Sequence, residues 1–331
     1  MKIAIVKLSA MGDIVHAMVT LQYIKKSNPN IKIDWIVEQN FKQVLENNPH
    51  IDNILTVNLK RIKKNKKHFF LELQQIRSYA KNSYDMVIDM QGLIKSAIVS
   101  KILGKSFGFS RHSTREKLSA LFYHKSFFVA YEKNVIIRNA NLVSKVLDFQ
   151  ISGKMLQKKR PFLFFKKDDT LKIEKYFEKG LPNIIYILGS SWHSKIYPKE
   201  KFIEIIKKLE GQHLLVWGTE EEHEYAKYIA KYTKAKIVEK INLNNLKALI
   251  SKADLIIGAD SGPTHFAWAL NRPSITIFGP TPSERNTLQT PINKIIDCGK
   301  KINPLKLNKK DYCIHDIKAQ HIISLAEELL A

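Results

Sequence analysis

The stretch that most constrains the fold runs from Leu255 to His265, with the sequence L-I-I-G-A-D-S-G-P-T-H. Leu255–Gly258 is a short apolar run that predicts a buried parallel strand. A turn of small residues follows, and the residues from Thr264 onward are typical of a helix that ends before Pro273. Such a turn brings free backbone N–H groups and the positive end of a helix dipole to one point. The stretch therefore predicts an anion site, with an ordinary N-capped helix as the plainer alternative.

The same order of strand, turn and helix recurs along the chain, which favours a parallel, doubly wound α/β fold. Strands of the first half are predicted at Ile3–Lys7, Ile31–Val37, Asn53–Val57, Asp85–Asp89 and Ser106–Phe109. Those of the second half are predicted at Asn183–Leu188, Leu214–Trp217, Lys236–Val238, Leu255–Gly258 and Ser274–Phe278. A chain of 331 residues has room for two domains, and the basic stretch Gly153–Arg160 is interpreted as their linker. We expect two Rossmann-like domains, residues 1–160 and 161–331, that face each other across a cleft.

The positive charge of the chain is concentrated in its first half. Of a net charge of +23, residues 1–160 carry +17, from 28 Lys and Arg against 11 Asp and Glu. This asymmetry indicates a polyanionic partner, and nucleic acid, an anionic membrane surface and a phosphorylated glycolipid all qualify. Drift in the composition of a whole proteome is the plainer explanation of the total charge.

Cysteine content and hydropathy indicate the compartment. The two cysteines, Cys298 and Cys313, are too few for a disulfide framework or a zinc site. We see no signal peptide and no apolar run long enough to span a bilayer. A cytoplasmic location is therefore expected.

Three turns of the second half are predicted to meet at the edge of a sheet: Gly189–Lys195, Gly218–Glu222 and Asp260–His265. The side chains that they offer are the hydroxyls of Ser190 and Ser191, the ammonium of Lys195, and the carboxylates of Glu222 and Asp260. Hydroxyls, a lysine and helix N-termini suit a diphosphate, and a carboxylate suits sugar hydroxyls. Because neither G-x-G-x-x-G nor a Walker loop is present, the sequence predicts a nucleotide-sugar pocket of another kind. For the glutamates after Gly218, stabilisation of a helix dipole is a good alternative.

In the first half, Asp13 is the best candidate for a general base. It lies at a loop–helix junction just after Gly12, with Lys7 and His16 nearby in the sequence. A carboxylate there could accept the proton of an attacking hydroxyl, and one base without a second carboxylate fits single displacement with inversion. No D-x-D pair occurs, so an Mg²⁺–diphosphate bridge is not indicated. The charge of the leaving group would then fall to Lys195 and a helix dipole.

Two basic stretches of the first half could contact an anion. Lys60–Lys67 is a dense basic run, for which a solvated surface is the plainer interpretation. Ser110–Lys117 is polar and basic, and the apolar, aromatic stretch Leu118–Phe128 follows it. This pairing suits a loop or helix that faces an anionic and partly apolar partner, unless the aromatic residues simply join the core.

Five ordered motifs together carry a resemblance that none of them would carry alone. They are Lys7–His16 (K-L-S-A-M-G-D-I-V-H), Val87–Ser96 (V-I-D-M-Q-G-L-I-K-S), Trp217–Glu222 (W-G-T-E-E-E), Asp260–His265 (D-S-G-P-T-H) and Phe278–Thr281 (F-G-P-T). In these the chain resembles the ADP-heptose:lipopolysaccharide heptosyltransferases, glycosyltransferase family 9, and most of all the heptosyltransferase I branch. The resemblance covers nearly the whole chain. It departs at residues 192–194, where the family's stretch is more charged.

The resemblance implies a GT-B fold and an inverting transfer of L-glycero-D-manno-heptose from ADP-heptose, without metal or cofactor. The implied acceptor is the inner Kdo of Kdo-lipid A, on the cytoplasmic face of the inner membrane, where the enzyme would be peripheral. The first domain would bind the acceptor and the second the nucleotide sugar. Asp13 would be the catalytic base. Implied donor-binding residues are Ser190, Ser191, Lys195, Glu222, Ile241, Asp260, Ser261, Gly262 and His265. Acceptor-binding residues would be Lys7, Arg61, Lys64, Arg111, Arg115 and Arg138.

Two alternatives remain open at this point. A heptosyltransferase II, or another family 9 enzyme that acts on a different core sugar, would carry the same motifs. A basic nucleic-acid-binding protein would account for the charge, although no RNA-binding or helix-turn-helix signature is present.

Overall fold

The computed structural model describes residues 1–65, 68–178 and 180–331, and these form two compact units, Met1–Phe162 and Leu163–Ala331. Among the described residues of unit 1, six parallel strands form a sheet in the order β3-β2-β1-β4-β5-β6. The strands are β1 (Lys2–Val6), β2 (Lys32–Glu38), β3 (Asn53–Val57), β4 (Tyr84–Asp89), β5 (Gly104–Phe109) and β6 (Lys125–Phe127). The helices are α1 (Met11–Met18), α2 (Thr20–Ser27), α3 (Lys42–Leu45), α4 (Leu59–Lys64), α5 (His68–Ala80), α6 (Ile94–Leu103), α7 (Val135–Leu147) and α8 (Gly153–Gln157), with 3₁₀ turns at Gln39–Phe41, Arg111–Ser113 and Lys117–Phe122.

Unit 2 repeats this architecture with a second parallel sheet. Its six strands, counted over the described part of the unit, follow the order β12-β11-β10-β7-β8-β9. They are β7 (Asn183–Ile187), β8 (Gln212–Val216), β9 (Lys236–Ile237), β10 (Leu255–Ala259), β11 (Ser274–Phe278) and β12 (Asn293–Asp297). The helices are α9 (Lys167–Leu171), α10 (Lys199–Lys208), α11 (Glu220–Tyr232), α12 (Leu243–Ser251), α13 (Gly262–Ala269), α14 (Ser283–Asn286) and α15 (Ala319–Leu330), with 3₁₀ turns at Glu174–Tyr176, His193–Lys195 and Cys313–Asp316.

Both sheets have the strand order of the doubly wound Rossmann fold, so the predicted fold class is confirmed. In each sheet the winding direction reverses between two central strands, β1 and β4 in unit 1 and β7 and β10 in unit 2. The loops after these strands diverge to opposite faces and leave a crevice at the carboxyl edge, where folds of this kind bind ligands. Each unit therefore has one topologically favoured site.

The core follows from strands that are apolar on both faces and helices that are apolar on one. All five residues of β10 and of β11 are buried, as expected for the centre of a parallel sheet. In α7 the buried Ile136, Ala140 and Val143 recur at spacings of four and three residues, which place them on one helix face.

The interpretation of Gly153–Arg160 as a linker is wrong, because these residues belong to unit 1. Ser152 caps α8 by accepting a hydrogen bond from the N–H of Met155, and Leu156 of that helix is buried. The hydroxyl of Tyr23 donates to the Met155 carbonyl at 2.5 Å. The apolar pair between the lysines thus packs onto unit 1, and the chain passes to unit 2 after Phe162.

Three further differences have local causes. Strands β6 and β12 are not predicted from the sequence, because they are edge strands with polar and partly exposed residues. The pattern from Leu171 onward predicts a helix over Leu171–Lys179, whereas α9 covers Lys167–Leu171, since Asp169 caps its start by accepting from the N–H of Lys166. Lys179 lies outside the described residues.

Candidate functional site

The crevice of unit 2 is built around a buried ion pair between Lys195 and Asp260. Lys195 ends the 3₁₀ turn after β7, and Asp260 directly follows β10, so the pair joins the two loops of the reversal point. The Lys195 Nζ and Asp260 Oδ2 atoms are 2.9 Å apart, and the two residues are 8% and 6% exposed. Ser190 of the same loop donates its hydroxyl to the Asp260 carbonyl at 3.3 Å. These predicted donor residues are therefore brought together.

The Asp260 carboxylate is surrounded by donors. The Thr281 hydroxyl donates to Oδ2 at 2.8 Å, and the Nε2 of the buried His265 lies 3.0 Å from Oδ1. Burial by itself would raise the pKa of Asp260, but the charge of Lys195 and the hydrogen bond with His265 outweigh it and hold this pKa well below its usual range. Asp260 is therefore ionised, and it fixes the position of the Lys195 ammonium.

The turn after β10 is held so that the start of α13 is close to the strand. A Cβ atom on Gly258 would lie 2.7 Å from the Thr264 hydroxyl oxygen, and that hydroxyl donates to the Ala259 carbonyl at 2.8 Å. Ser261 is at the N-cap position, but its hydroxyl pairs with Thr264 at 3.0 Å and makes no cap bond. The simple N-cap alternative is thus incomplete, and the first N–H groups of α13 begin at Gly262 with no side-chain cap.

The third turn places Glu222 beside the first. Thr219 and Glu222 form a capping box at the start of α11, and Glu222 Oε2 accepts from the N–H of Gly218 at 2.6 Å. A Cβ atom on Gly189 would lie 1.9 Å from Glu222 Oε1, so the carboxylate lies directly against the Gly189 backbone. Glu222 lies in the first turn of α11, as the dipole interpretation predicts. The same position places its carboxylate next to the Ser190 loop.

A cavity of about 480 Å³ opens beside these turns in unit 2. Its lining includes Ser190, Ser191, Thr219, Glu222 and Tyr225, with Tyr312 and His315 from the C-terminal segment. Ile241 lies half-buried in the segment between β9 and α12. The volume is in the range of pockets that bind small ligands.

In unit 1, Asp13 lies in the first turn of α1, at the reversal point of that sheet. Its side chain is half-buried, and Oδ2 accepts from the N–H of Ala10 at 3.2 Å. The loop before it is held by Gln91, whose Oε1 accepts from the N–H groups of Leu8 and Ser9, both at 3.1 Å. Sequence reasoning missed this role of Gln91, although the residue lies within the quoted motif Val87–Ser96.

Gln91 is itself held by a buried carboxylate. Asp89 Oδ1 accepts from the N–H groups of Gln91 and Gly92 at 2.7 and 3.1 Å, and Oδ2 accepts from the Tyr123 hydroxyl at 2.8 Å. Burial raises the pKa of Asp89, against the lowering effect of hydrogen bonds from Ser96, Tyr123 and the backbone. The carboxyl group thus ties the loop after β4 to the loop that carries Asp13.

The six residues expected to bind an acceptor fall into two groups. Lys7 and Arg138 are buried and bind the backbone. Lys7 Nζ donates to the Met90 carbonyl at 2.9 Å, and the Arg138 guanidinium donates to the carbonyls of Ser113, Val129 and Ala130 at 2.7, 2.9 and 2.6 Å. Arg138 also lies over the rings of Phe109 and Tyr131.

The other residues expected to bind an acceptor are on the surface. Arg61, Arg111 and Arg115 are exposed, and Arg115 is 4.0 Å from the partly exposed Glu116. Lys64 is the last residue of α4, and its side chain lies outside what the structure describes. Three exposed guanidinium groups therefore lie in the segments that follow β3 and β5.

Within residues 1–65, 68–178 and 180–331, no group of three or more His, Cys, Asp or Glu side chains is arranged to hold a metal ion. No helix of the same residues has the length and apolarity that crossing a membrane requires.

Two doubly wound units, each with a crevice at the carboxyl edge of its sheet, are an architecture common among nucleotide-dependent α/β enzymes, and comparisons with known proteins identify the family. The model of glycosyltransferase family 9 (heptosyltransferase) matches residues 73–315. The chain is 42% identical to lipopolysaccharide heptosyltransferase 1 of Campylobacter coli, over 99% of both chains. It is 30% identical to that of Escherichia coli O18:K1:H7, over 85% of this chain and 86% of the relative. The chain therefore belongs to glycosyltransferase family 9, and the predicted family and enzyme class are confirmed.

Solved structures agree on the fold. The E. coli heptosyltransferase WaaC with ADP superposes with a TM-score of 0.79 at 23% identity, over 99% of this chain and all of the other. A family 9 glycosyltransferase from Veillonella parvula gives 0.80 at 18% identity, over 99% and 97%. These matches confirm the predicted GT-B type of α/β fold.

Proposed function

We propose that this enzyme is a lipopolysaccharide heptosyltransferase I, which transfers L-glycero-D-manno-heptose from ADP-heptose to the inner Kdo of Kdo-lipid A. The relative that is 42% identical over its full length carries the name lipopolysaccharide heptosyltransferase 1. Two solved structures of the E. coli heptosyltransferase WaaC hold ADP and ADP-2-deoxy-2-fluoro heptose. The reaction we propose belongs to inner-core biosynthesis on the cytoplasmic face of the inner membrane.

The observation that carries the donor half of the proposal is the buried Lys195–Asp260 pair in the crevice of unit 2. An ammonium held by an ionised carboxylate needs no rearrangement when negative charge develops on a departing diphosphate. The N–H group of Gly262 and the hydroxyls of Ser190 and Ser191 would contact the same phosphates. We assign Ser261 and His265 to the same donor site, His265 acting through Asp260.

Glu222 and Ile241 would contact the nucleoside. Glu222 keeps Oε1 beside Gly189 while Oε2 accepts from the backbone, so one carboxylate oxygen remains for ribose hydroxyls. We assign Ile241, from the segment after β9, to the adenine. Neither contact requires a cofactor.

The chemical step we propose is a single displacement without a metal ion. The acceptor hydroxyl oxygen attacks the anomeric carbon while the bond from that carbon to the ADP phosphate oxygen breaks, and Asp13 takes the hydroxyl proton. The configuration at the anomeric carbon inverts. Because Asp13 receives one backbone hydrogen bond and is half-buried, its carboxylate can still accept a proton.

For the acceptor we propose a division of labour among the basic residues of unit 1. Arg61, Lys64, Arg111 and Arg115 would contact carboxylates and phosphates of Kdo-lipid A. Lys7 and Arg138 would act through the backbone that they bind, Lys7 at the loop after β4 and Arg138 at the loop after β5. The net charge of +17 on residues 1–160 supports an acidic acceptor on this unit.

The experiment that tests this function offers purified enzyme and ADP-heptose two acceptors, Kdo-lipid A and the same acceptor already carrying one heptose. We expect transfer to the first only. Transfer only to the heptosylated acceptor would identify a heptosyltransferase II or another family 9 enzyme. Inversion is checked by the anomeric configuration of the product, and metal independence by unchanged rates in excess chelator.

A further inference from the structure

Two helices and a 3₁₀ turn of unit 1 expose large apolar side chains that the donor and acceptor chemistry does not use. Phe70 in the first turn of α5 is 75% exposed, and Leu121 in the 3₁₀ turn Lys117–Phe122 is 79% exposed. Leu71, Ile98 and Leu118 are also exposed. We call these five residues the apolar strip. Single exposed leucines are ordinary, but large apolar residues on adjacent elements mark interaction sites.

The elements that carry the apolar strip are adjacent in the fold. The crossovers from β3 to β4 and from β4 to β5 run in one direction along the sheet, so α5 and α6 cover the same face. Helix α6 packs against α5 on one side and against the 3₁₀ turn Lys117–Phe122 on the other. The strip is therefore borne by three segments packed side by side.

The strip begins at the sheet edge that holds Asp13. All strands of this sheet are parallel, so the segments after β1, β3, β4 and β5 leave from one edge. Phe70 lies in the first turn of α5, and Leu118 follows the loop that carries Arg111 and Arg115. A surface bound to the apolar strip would thus lie beside the sheet edge that holds Asp13.

Basic side chains accompany the strip along the same segments. Lys95 in the first turn of α6 and Lys117 next to Leu118 are exposed, as are Arg111 and Arg115. The nearby Glu116 carboxylate accepts from the N–H of Ile94 at 2.8 Å. Aromatic and leucine side chains beside lysines and arginines bind the interface of anionic bilayers, by apolar burial and by attraction to lipid phosphates.

We propose that the apolar strip and its basic neighbours dock unit 1 on a bilayer that contains anionic phospholipid. The proposal rests on the proposed function, in which the acceptor is anchored in a membrane, and it identifies the surface that would meet that membrane. A second copy of the chain is the less favoured occupant, because two units that each carry +17 would repel each other.

Cosedimentation of the full chain with vesicles tests the proposal without any substrate. One set of vesicles contains phosphatidylglycerol and phosphatidylcholine, and the other contains phosphatidylcholine alone. We expect binding to the first set that weakens as salt is raised. Phe70→Ser and Leu121→Ser should each lower the affinity about tenfold, since each removes a large apolar side chain from the interface. Lys117→Glu should lower it at least fivefold.

Matched controls come from unit 2. Leu171 is 56% exposed and Lys172 is exposed beside it, so Leu171→Ser and Lys172→Glu make the same chemical changes away from the strip. We expect both controls to bind vesicles as the unchanged chain does. Equal losses in the two units, or no loss in Phe70→Ser and Leu121→Ser, would overturn the proposal. So would a concentration-dependent dimer that Leu121→Ser abolishes, because it would assign the strip to a second copy.

Failure of the two proposals can be told apart. Vesicle binding is measured without ADP-heptose, so it reports on the strip even if the transfer assay shows another acceptor. A chain that transfers heptose but binds the two vesicle sets equally weakly would retain the proposed function and lose this inference.

Discussion

The two units share one topology but differ in the burial and hydrogen bonding of the carboxylate at the reversal point. In unit 2, Asp260 is buried and held ionised by Lys195. In unit 1, Asp13 is half-buried and accepts from one backbone N–H, while the neighbouring Asp89 takes the buried, bonded position. A carboxylate surrounded by donors is held as a charge, whereas a half-buried one with fewer donors can take a proton. The same crevice would thus supply electrostatic stabilisation in one unit and a candidate base in the other.

The largest effect is expected from Asp13→Asn. Removing a general base costs about 10²- to 10⁴-fold in rate, so we expect the kcat of heptose transfer to fall by roughly that factor. ADP affinity, measured by calorimetry, should not change, because the proposed donor site lies in unit 2. A variant that keeps more than a tenth of the original kcat would remove Asp13 from the role of base.

Lys195→Ala should affect both stability and donor binding. It leaves Asp260 charged and buried, and breaking a buried pair typically costs about 3–5 kcal/mol. We expect a lower free energy of unfolding in urea and weaker ADP binding. Lys207→Ala, which truncates an exposed lysine of α10, is the matched control and should change neither. If the two variants behave alike, the ion pair does not organise the crevice.

The same pair predicts an acid dependence. Because the pKa of Asp260 is lower in the folded chain than in the unfolded one, the stabilisation is present above pH about 4 and is lost as pH falls below it. Asp260→Asn should therefore lose stability at neutral pH and show a shallower decrease between pH 4 and 2. A parallel decrease in both chains would contradict the assignment.

A smaller effect is expected from Gln91→Ala, which frees the N–H groups of Leu8 and Ser9. Gln91 is a positioning residue, so we expect about a tenfold lower kcat with an unchanged KM for ADP-heptose. Gln91→Glu keeps an acceptor oxygen for the N–H groups of Leu8 and Ser9 and should recover most of the rate. If the conservative variant is as slow as Gln91→Ala, the hydrogen bonds to the loop are not the cause.

The smallest effect is expected from Arg111→Glu, because Arg111 is exposed and solvent weakens its interactions. We expect the KM for Kdo-lipid A to rise a few-fold while the KM for ADP-heptose stays constant. Arg138→Lys should instead lower stability, since the single ammonium nitrogen of lysine cannot reproduce the planar fork by which two guanidinium nitrogens reach three carbonyls. Equal changes in both KM values for Arg111→Glu would contradict a basic acceptor surface on unit 1.

Local patterns predicted most of the fold, since a buried parallel strand followed by a small-residue turn is visible in a short window. Asp260 and Lys195 could be proposed together because each lies in such a turn. Other contacts depend on which strands become neighbours, and a short stretch of sequence does not determine the strand order. Examples are the hydrogen bond from Thr281 to Asp260 and the bonds from Leu8 and Ser9 to Gln91. Arg138 is another example, because its residue type alone does not predict that it is buried and donates to backbone carbonyls. The lysines at 154, 158 and 159 favour a linker in the sequence, whereas the apolar Leu156 between them is buried in unit 1. The prediction of a linker at Gly153–Arg160 gave too much weight to charge.

The contact between Gly189 and Glu222 has a consequence for engineering donor preference. With only 1.9 Å between Glu222 Oε1 and the place where a Cβ atom on Gly189 would be, any larger residue at 189 must displace that acid and the helix start it caps. A substitution at 189 alone is therefore expected to disturb the start of α11. Varying 189 and 222 together would test whether this corner of the cavity sets the selectivity of the proposed donor site.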